Sequence, residues 1–187
     1  MVGKRNTEID QNQLDGIYAS TKREAELKLL DLGKNNNMFV SIVRPALVYG
    51  PNVKGNLKLM LNAIESGWFP PLPKINNRRS MIHVDDLVEA LQLVSNDIRA
   101  NGEIYIATDG KDYSSHEIYE TMCFLLNKSV PKWAVPHLMF KILAILSPSI
   151  KYRVKKLLGD ELYSSEKIQT IGFKAKKTLR EMHETSF

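Results

Sequence analysis

The sequence has one cysteine, Cys123, in 187 residues. A single thiol excludes an intramolecular disulfide framework and fits a reducing, cytoplasmic compartment. Its place among Met122, Phe124, Leu125 and Leu126 marks it as a buried thiol, since free cysteine packs as a small hydrophobe. Long apolar runs are missing too. The most apolar stretch, Leu138 to Leu146, is broken by Lys141 and followed by Ser147-Pro148, which is too short to span a bilayer, and no N-terminal signal segment is read. The four histidines, His83, His116, His137 and His183, are scattered, so none falls into metal-ligand spacing. Also absent is any glycine-rich turn of the G-x-G-x-x-G or G-x-x-G-x-x-G kind, which lets a strand-to-helix backbone approach a pyrophosphate.

A hydrophobic fraction of 43% at this length is enough for one sizeable core. The net charge is +5 and the pI near 9.2, yet the lysines are spread out and lack the aromatic interleaving of a single-strand platform, which argues against nucleic acid. Lys151, Arg153, Lys155 and Lys156 follow the most apolar stretch directly. We read that region as a helix packed over a cleft with a basic outer face, in preference to a membrane-surface segment. Periodicity and punctuation give helices near 57–66, 86–97, 114–127, 134–146 and 176–184 and strands near 80–84 and 103–107. Turns are expected at Asn101-Gly102, Asp109-Gly110 and the prolines at 131, 136 and 148.

Tyr-x-x-x-Lys occurs three times, at Tyr18/Lys22, Tyr152/Lys156 and Tyr163/Lys167. On a helix each spacing brings a phenol near an ammonium. Only the first pair has distinctive surroundings. Tyr18 opens a segment with Ala25, Leu27, Leu29, Leu30 and Leu32, read as a helix that ends near Gly33 with a left-handed glycine cap. Met38 to Val43 then reads as a short buried parallel strand. A helix followed by such a strand is half of a βαβ unit.

With Tyr18-Ala19-Ser20-Thr21-Lys22, Val43-Arg44-Pro45-Ala46-Leu47-Val48-Tyr49-Gly50-Pro51 and Arg79-Ser80-Met81-Ile82-His83-Val84-Asp85-Asp86-Leu87, the chain resembles the extended short-chain dehydrogenase/reductase family. The likeness is to its branch of nucleotide-sugar epimerases, dehydratases and reductases. Ile171-Gly172-Phe173 to Leu179 resembles the family's closing segment, with Ala175 and Lys176 where that segment carries proline. Val53 to Leu57 and Asn77 to Ser80 look closest to bacterial enzymes acting on UDP-N-acetylhexosamines. The resemblance implies an α/β fold: the C-terminal part of a Rossmann-like doubly wound parallel sheet plus a small, mainly helical substrate lobe. Residues 1–52 would be the remnant of the dinucleotide-binding domain, and 53–187 mainly the substrate lobe, with 80–107 returning to the sheet.

The resemblance also assigns roles. Oxidising a sugar hydroxyl needs a base near neutral pH, and free tyrosine, with a pKa of about 10, is too protonated unless positive charge lies close. Tyr18 is expected as general acid/base and Lys22 as its tuning partner, both also touching NAD or NADP, together with Pro45 and Val48. The serine or threonine that completes such sites would precede Met1, since Val2-Gly3 looks like the end of its strand; neither Thr7 nor Ser20 is given that role. Asn56 and Arg79 are expected to hold the substrate diphosphate, arginine because its planar fork makes two charge-assisted bonds. Taken without the resemblance, Arg79 reads as a solvated loop cation and Asn56 as the N-cap of its helix. Tyr49 reads as packing, His83 as structural, and Asp85 and Asp86 as helix-capping and dipole-pairing residues.

Three functions are compatible with this reading. One is nucleotide-sugar 4-epimerisation of a UDP-hexose or UDP-N-acetylhexosamine by transient oxidation at C4. Another is 4-keto reduction or dehydration on the same residues. The last is an inactive sugar-nucleotide-binding or interaction module, which would self-associate or pair with a separately encoded N-terminal half through its unpaired sheet edge.

Overall fold

The computed structural model describes residues 5–8 and 17–182, and for Tyr18, His137, Lys141, Leu143, Ala144, Leu146 and Ser149 the backbone alone. Val2-Gly3 and His183 lie outside the described residues. In chain order the elements are α1 (Ile17–Asn35), β1 (Ile42–Pro45), β2 (Leu47–Tyr49), α2 (Gly55–Glu65), β3 (Arg79–His83) and α3 (Val84–Asn96). They are followed by β4 (Ile104–Ala107), β5 (Asp112–Tyr113), α4 (Ser115–Leu125), α5 (His137–Leu146), α6 (Pro148–Leu158) and α7 (Glu166–Thr170). Short 3₁₀ turns occupy Ile98–Ala100 and Leu179–Glu181.

β1 pairs in parallel with β4, Ile42 opposite Ile104 and Pro45 opposite Ala107. β2 pairs in parallel with β3, which takes β5 antiparallel on its other edge. Only Ala46 separates β1 from β2, and its N–H donates to the Ala107 carbonyl at 3.0 Å. One extended segment thus serves both sheets. Every residue of β3 is buried, and strand alternation sends consecutive side chains into different cores. Met81 joins the cluster of Tyr49, Leu57, Met60, Leu61 and Met122. Ile82 joins Ala90, Val94, Tyr105, Ile168 and Phe173.

Local differences from the sequence reading have physical causes. The first strand starts at Ile42, not Met38, and Met38 and Phe39 are exposed. Gly33 is no left-handed cap: it lies inside α1, where a Cβ would sit 2.6 Å from Val40 Cγ2, and Asn37 takes the positive φ of 55°. Close approach, not conformation, explains that glycine. A helix over 176–184 does not form among the described residues. The N–H groups of Lys176 and Lys177 are instead taken by the Asp86 carboxylate, at 3.1 and 3.0 Å, which leaves only the turn at Leu179–Glu181. Pro148 does not merely punctuate; it is the first residue of α6, where its missing N–H costs nothing.

Candidate active site

Tyr18 and Lys22 stand one turn apart near the start of α1. The Tyr18 side chain lies outside the described set. α1 is fixed to β1 by a two-pronged ion pair, Arg44 Nε and Nη2 donating to the Glu26 carboxylate at 2.9 and 2.6 Å. Arg44 also donates to the Glu8 carbonyl at 3.1 Å. Burial pushes the Glu26 carboxyl up, but Arg44 and Arg23 outweigh it and hold it below the usual range. The other Tyr-x-x-x-Lys pairs are occupied otherwise. Lys156 lies 5.9 Å over the Tyr152 ring while paired with Glu161. Tyr163 precedes α7, and Lys167 pairs with Glu103 at 2.8 Å and lies over Tyr105.

At the end of β1, Pro45 is exposed, and Val48 in β2 is half-buried. Tyr49 is buried edge-on to His83, and its hydroxyl lies 3.2 Å from Asp109 Oδ2 and 3.2 Å from the Lys177 carbonyl. The Tyr113 hydroxyl shares the same carboxylate oxygen at 2.7 Å. Burial is the main reason both phenols and the Asp109 carboxyl titrate above their ordinary values. This network joins β2, β5 and the C-terminal segment.

His83 is 2% exposed and structural. Its Nδ1 accepts the Asp85 N–H at 3.1 Å, so the histidine, not either aspartate, caps α3. Burial and the nearby Lys177 hold its pKa down despite Asp85 and Asp86. Both aspartates occupy the first turn, where negative charge suits the helix dipole. Asp86 is itself buried and fastens the C-terminal segment.

Arg79 and Asn56 meet at a cavity of about 290 Å³, lined also by Leu47, Tyr152, Arg153 and Lys156. Arg79 is no solvated turn cation: it opens β3 and is buried. Its Nη1 donates to the Lys156 carbonyl at 2.7 Å and its Nη2 to Glu161 Oε2 at 2.5 Å. Its Nε is buried with no partner, an uncommon condition for so strong a donor. Asn56 is not the N-cap of α2; Lys54 holds that position without a side-chain bond, and Asn56 is exposed in the first turn. Glu161, which sequence reasoning missed, is a local neutraliser. Burial raises its pKa, but Arg79 and Lys156 more than reverse this. Arg153 was legible only as part of a basic run, and Lys156 as part of that run and of the Tyr152/Lys156 spacing. Among the described residues no three His, Cys, Asp or Glu side chains form a metal-holding group, and no helix is long and apolar enough to cross a membrane.

Parallel pairing of β1 with β4 and of β2 with β3, interleaved with helices, defines a Rossmann-like α/β fold. The chain belongs to the NAD dependent epimerase/dehydratase family, whose profile matches residues 3–107. It is 29% identical over 174 residues to the UDP-glucose 4-epimerase of Vibrio cholerae, covering 92% of this chain and 53% of that protein. It is 27% identical to the N-acetyl-alpha-D-glucosaminyl-diphospho-ditrans,octacis-undecaprenol 4-epimerase of Escherichia coli O157:H7, over 75% of this chain and 46% of the relative. The chain thus spans about half the length of these relatives. In fold it matches a Thermus thermophilus UDP-glucose 4-epimerase in complex with NAD, at a TM-score of 0.73 and 18% identity, over 100% of this chain and 57% of the other. A Bacillus anthracis dTDP-glucose 4,6-dehydratase in complex with NAD gives 0.72 at 20% identity, over 100% of this chain and 55% of the other.

Proposed function

We propose that this chain forms the reacting end and diphosphate pocket of a nucleotide-sugar 4-epimerase acting on a UDP-hexose or UDP-N-acetylhexosamine. The observation that carries the substrate half of this reading is the cavity that Arg79 shares with Arg153, Lys156 and the exposed Asn56, three cations beside one amide. Clustered cations of this kind suit a diphosphate, arginine especially because its fork can bind an oxyanion bidentately. In the reaction, Tyr18 takes the proton from the sugar hydroxyl and returns it, and Lys22, one turn along, favours the phenolate. The nicotinamide of NAD or NADP supplies the hydride acceptor when bound. Pro45 and Val48, with Tyr18 and Lys22, would hold it; the exposure of Pro45 at the C-terminal end of a parallel strand is where such folds place ligands. Residues 1–52 then serve the cofactor and most of 53–187 the sugar nucleotide.

Calorimetric titration with UDP-N-acetylglucosamine tests the pocket. Replacing Arg79→Ala is expected to weaken binding by at least about tenfold, as loss of charge-assisted hydrogen bonds does, and Arg79→Lys to restore part of it. Undiminished binding by Arg79→Ala would remove Arg79 from the site. In the full-length enzyme, Tyr18→Phe is expected to abolish turnover with sugar-nucleotide binding retained. Product analysis there separates epimerisation from its relatives: a reduced deoxysugar with net NADPH consumption rejects the epimerase reading.

A further inference from the structure

Between Glu120 and Asp160 the sequence holds seven lysines and arginines and no acidic residue, whereas the rest of the chain carries more acid than base. The whole positive excess therefore comes from one segment, which contains α5 and α6, packed against each other. Along α5, Leu138, Met139, Ile142 and Ile145 are exposed, the last to 83%, while Phe140 is buried. The spacing puts the four exposed residues on one face and Phe140 opposite. Lys151 and Lys155 are exposed one turn apart on α6, beside Tyr152 and Arg153. The chain's only two tryptophans add to this. Trp68 and Trp133 are 86% and 65% exposed, and both line one shallow depression with Lys128. A hydrogen bond of 3.0 Å from Val135 N to the Pro71 carbonyl holds their two segments together.

Exposed indoles, an aliphatic helix face and a cationic helix without one carboxylate are the chemistry of an anionic lipid interface. Trp and Tyr favour the headgroup level, aliphatic side chains enter the acyl boundary, and lysines are attracted to the negative surface. We infer that the segment from Lys128 to Lys156, with Trp68, docks this protein peripherally on an anionic phospholipid bilayer. An exposed aliphatic face on α5 is more than a helix covering a cleft requires. Tyr152, Arg153 and Lys156 also line the Arg79 cavity, so docking through α6 would bring that cavity to the membrane surface. This inference goes beyond the proposed reaction and does not depend on it.

Vesicle flotation of the 187-residue chain tests it, using phosphatidylcholine alone and with about a third phosphatidylglycerol, at low and high salt. Expected are flotation with the anionic vesicles only, loss of binding as salt rises, and a blue shift of tryptophan fluorescence. Ile142→Glu with Ile145→Glu, and separately Lys151→Glu with Lys155→Glu, should each weaken partitioning by at least about tenfold. Both pairs change exposed residues, and circular dichroism checks that they leave the fold intact. Leu27→Glu with Leu32→Glu on α1 serves as the control for indiscriminate stickiness. Equal binding to neutral vesicles, or equal loss on the α1 control, overturns the proposal. So does a wild-type dimer by light scattering that the α5 variant dissolves without any vesicle binding, since a second copy would then cover this face.

Discussion

The lobe around β3 and the flank made by α1 treat their apolar residues in opposite ways. In the lobe, β3 is buried throughout, and Met81, Ile82 and Met122 have no appreciable exposure. On the flank, Leu27, Leu29 and Leu32 of α1 remain about half exposed, as do Met38 and Phe39 after it. One region closes its own core on both faces. The other is tied down mainly by directional contacts, the Arg44–Glu26 fork among them. The difference teaches that stability and the Tyr18–Lys22 helix reside in separate parts of the fold. Perturbing one should leave the other largely untouched.

The sharpest way to break this contrast is truncation within each region. Met81→Ala should cost about 2–5 kcal/mol in chemical denaturation, because it opens a cavity between packed layers, whereas Leu27→Ala should stay within about 0.5 kcal/mol. Similar costs at both sites would mean the flank is as closed as the lobe. Next in size is Asp86→Ala. It leaves the N–H groups of Lys176 and Lys177 without their carboxylate, and a cost of about 1–3 kcal/mol is expected, with faster amide exchange in the C-terminal segment. Unchanged exchange there would show that the apolar contacts of Leu179 suffice.

A pH series sharpens the electrostatic side of the lobe. Glu161 titrates below its ordinary value near 4.5 because Arg79 and Lys156 outweigh its burial. A carboxyl with a depressed folded pKa gives stability that is full above the unfolded value and is lost as pH falls through the folded one. Thermal melts should therefore fall as pH drops through and below about 4.5, and Glu161→Gln should flatten that limb while lowering stability at neutral pH. The smallest effect belongs to the flank. Glu26→Gln breaks a partly exposed pair and should cost about 1 kcal/mol or less, read best as faster hydrogen exchange in α1 with β3 unaffected.

Legibility follows the same division. The α1 helix and the strand after it were visible because their cues are local: apolar spacing, then a short apolar run. Even there the strand began four residues late, since Met38 and Phe39 meet no covering layer among the described residues. The helix α6 was expected only without bounds, because a basic run after a proline marks no helix end. The Arg79 site was half legible. The resemblance pointed to Arg79 and Asn56, but nothing local announced Glu161, which pairs with Arg79 from 82 positions away.

What the sequence determined by itself was the class: the segments around Tyr18, Arg44 and Arg79 resemble those of epimerase/dehydratase proteins, and the family profile matches residues 3–107 before any contact is known. The tertiary structure alone decided what each polar residue does. It buried Arg79 with its Nε unpartnered, made His83 the cap of α3, and gave Asp86 to a segment 90 residues away. Backbone propensities and periodicity act over a few residues, whereas burial and the pairing of charge depend on which distant segments the fold brings together.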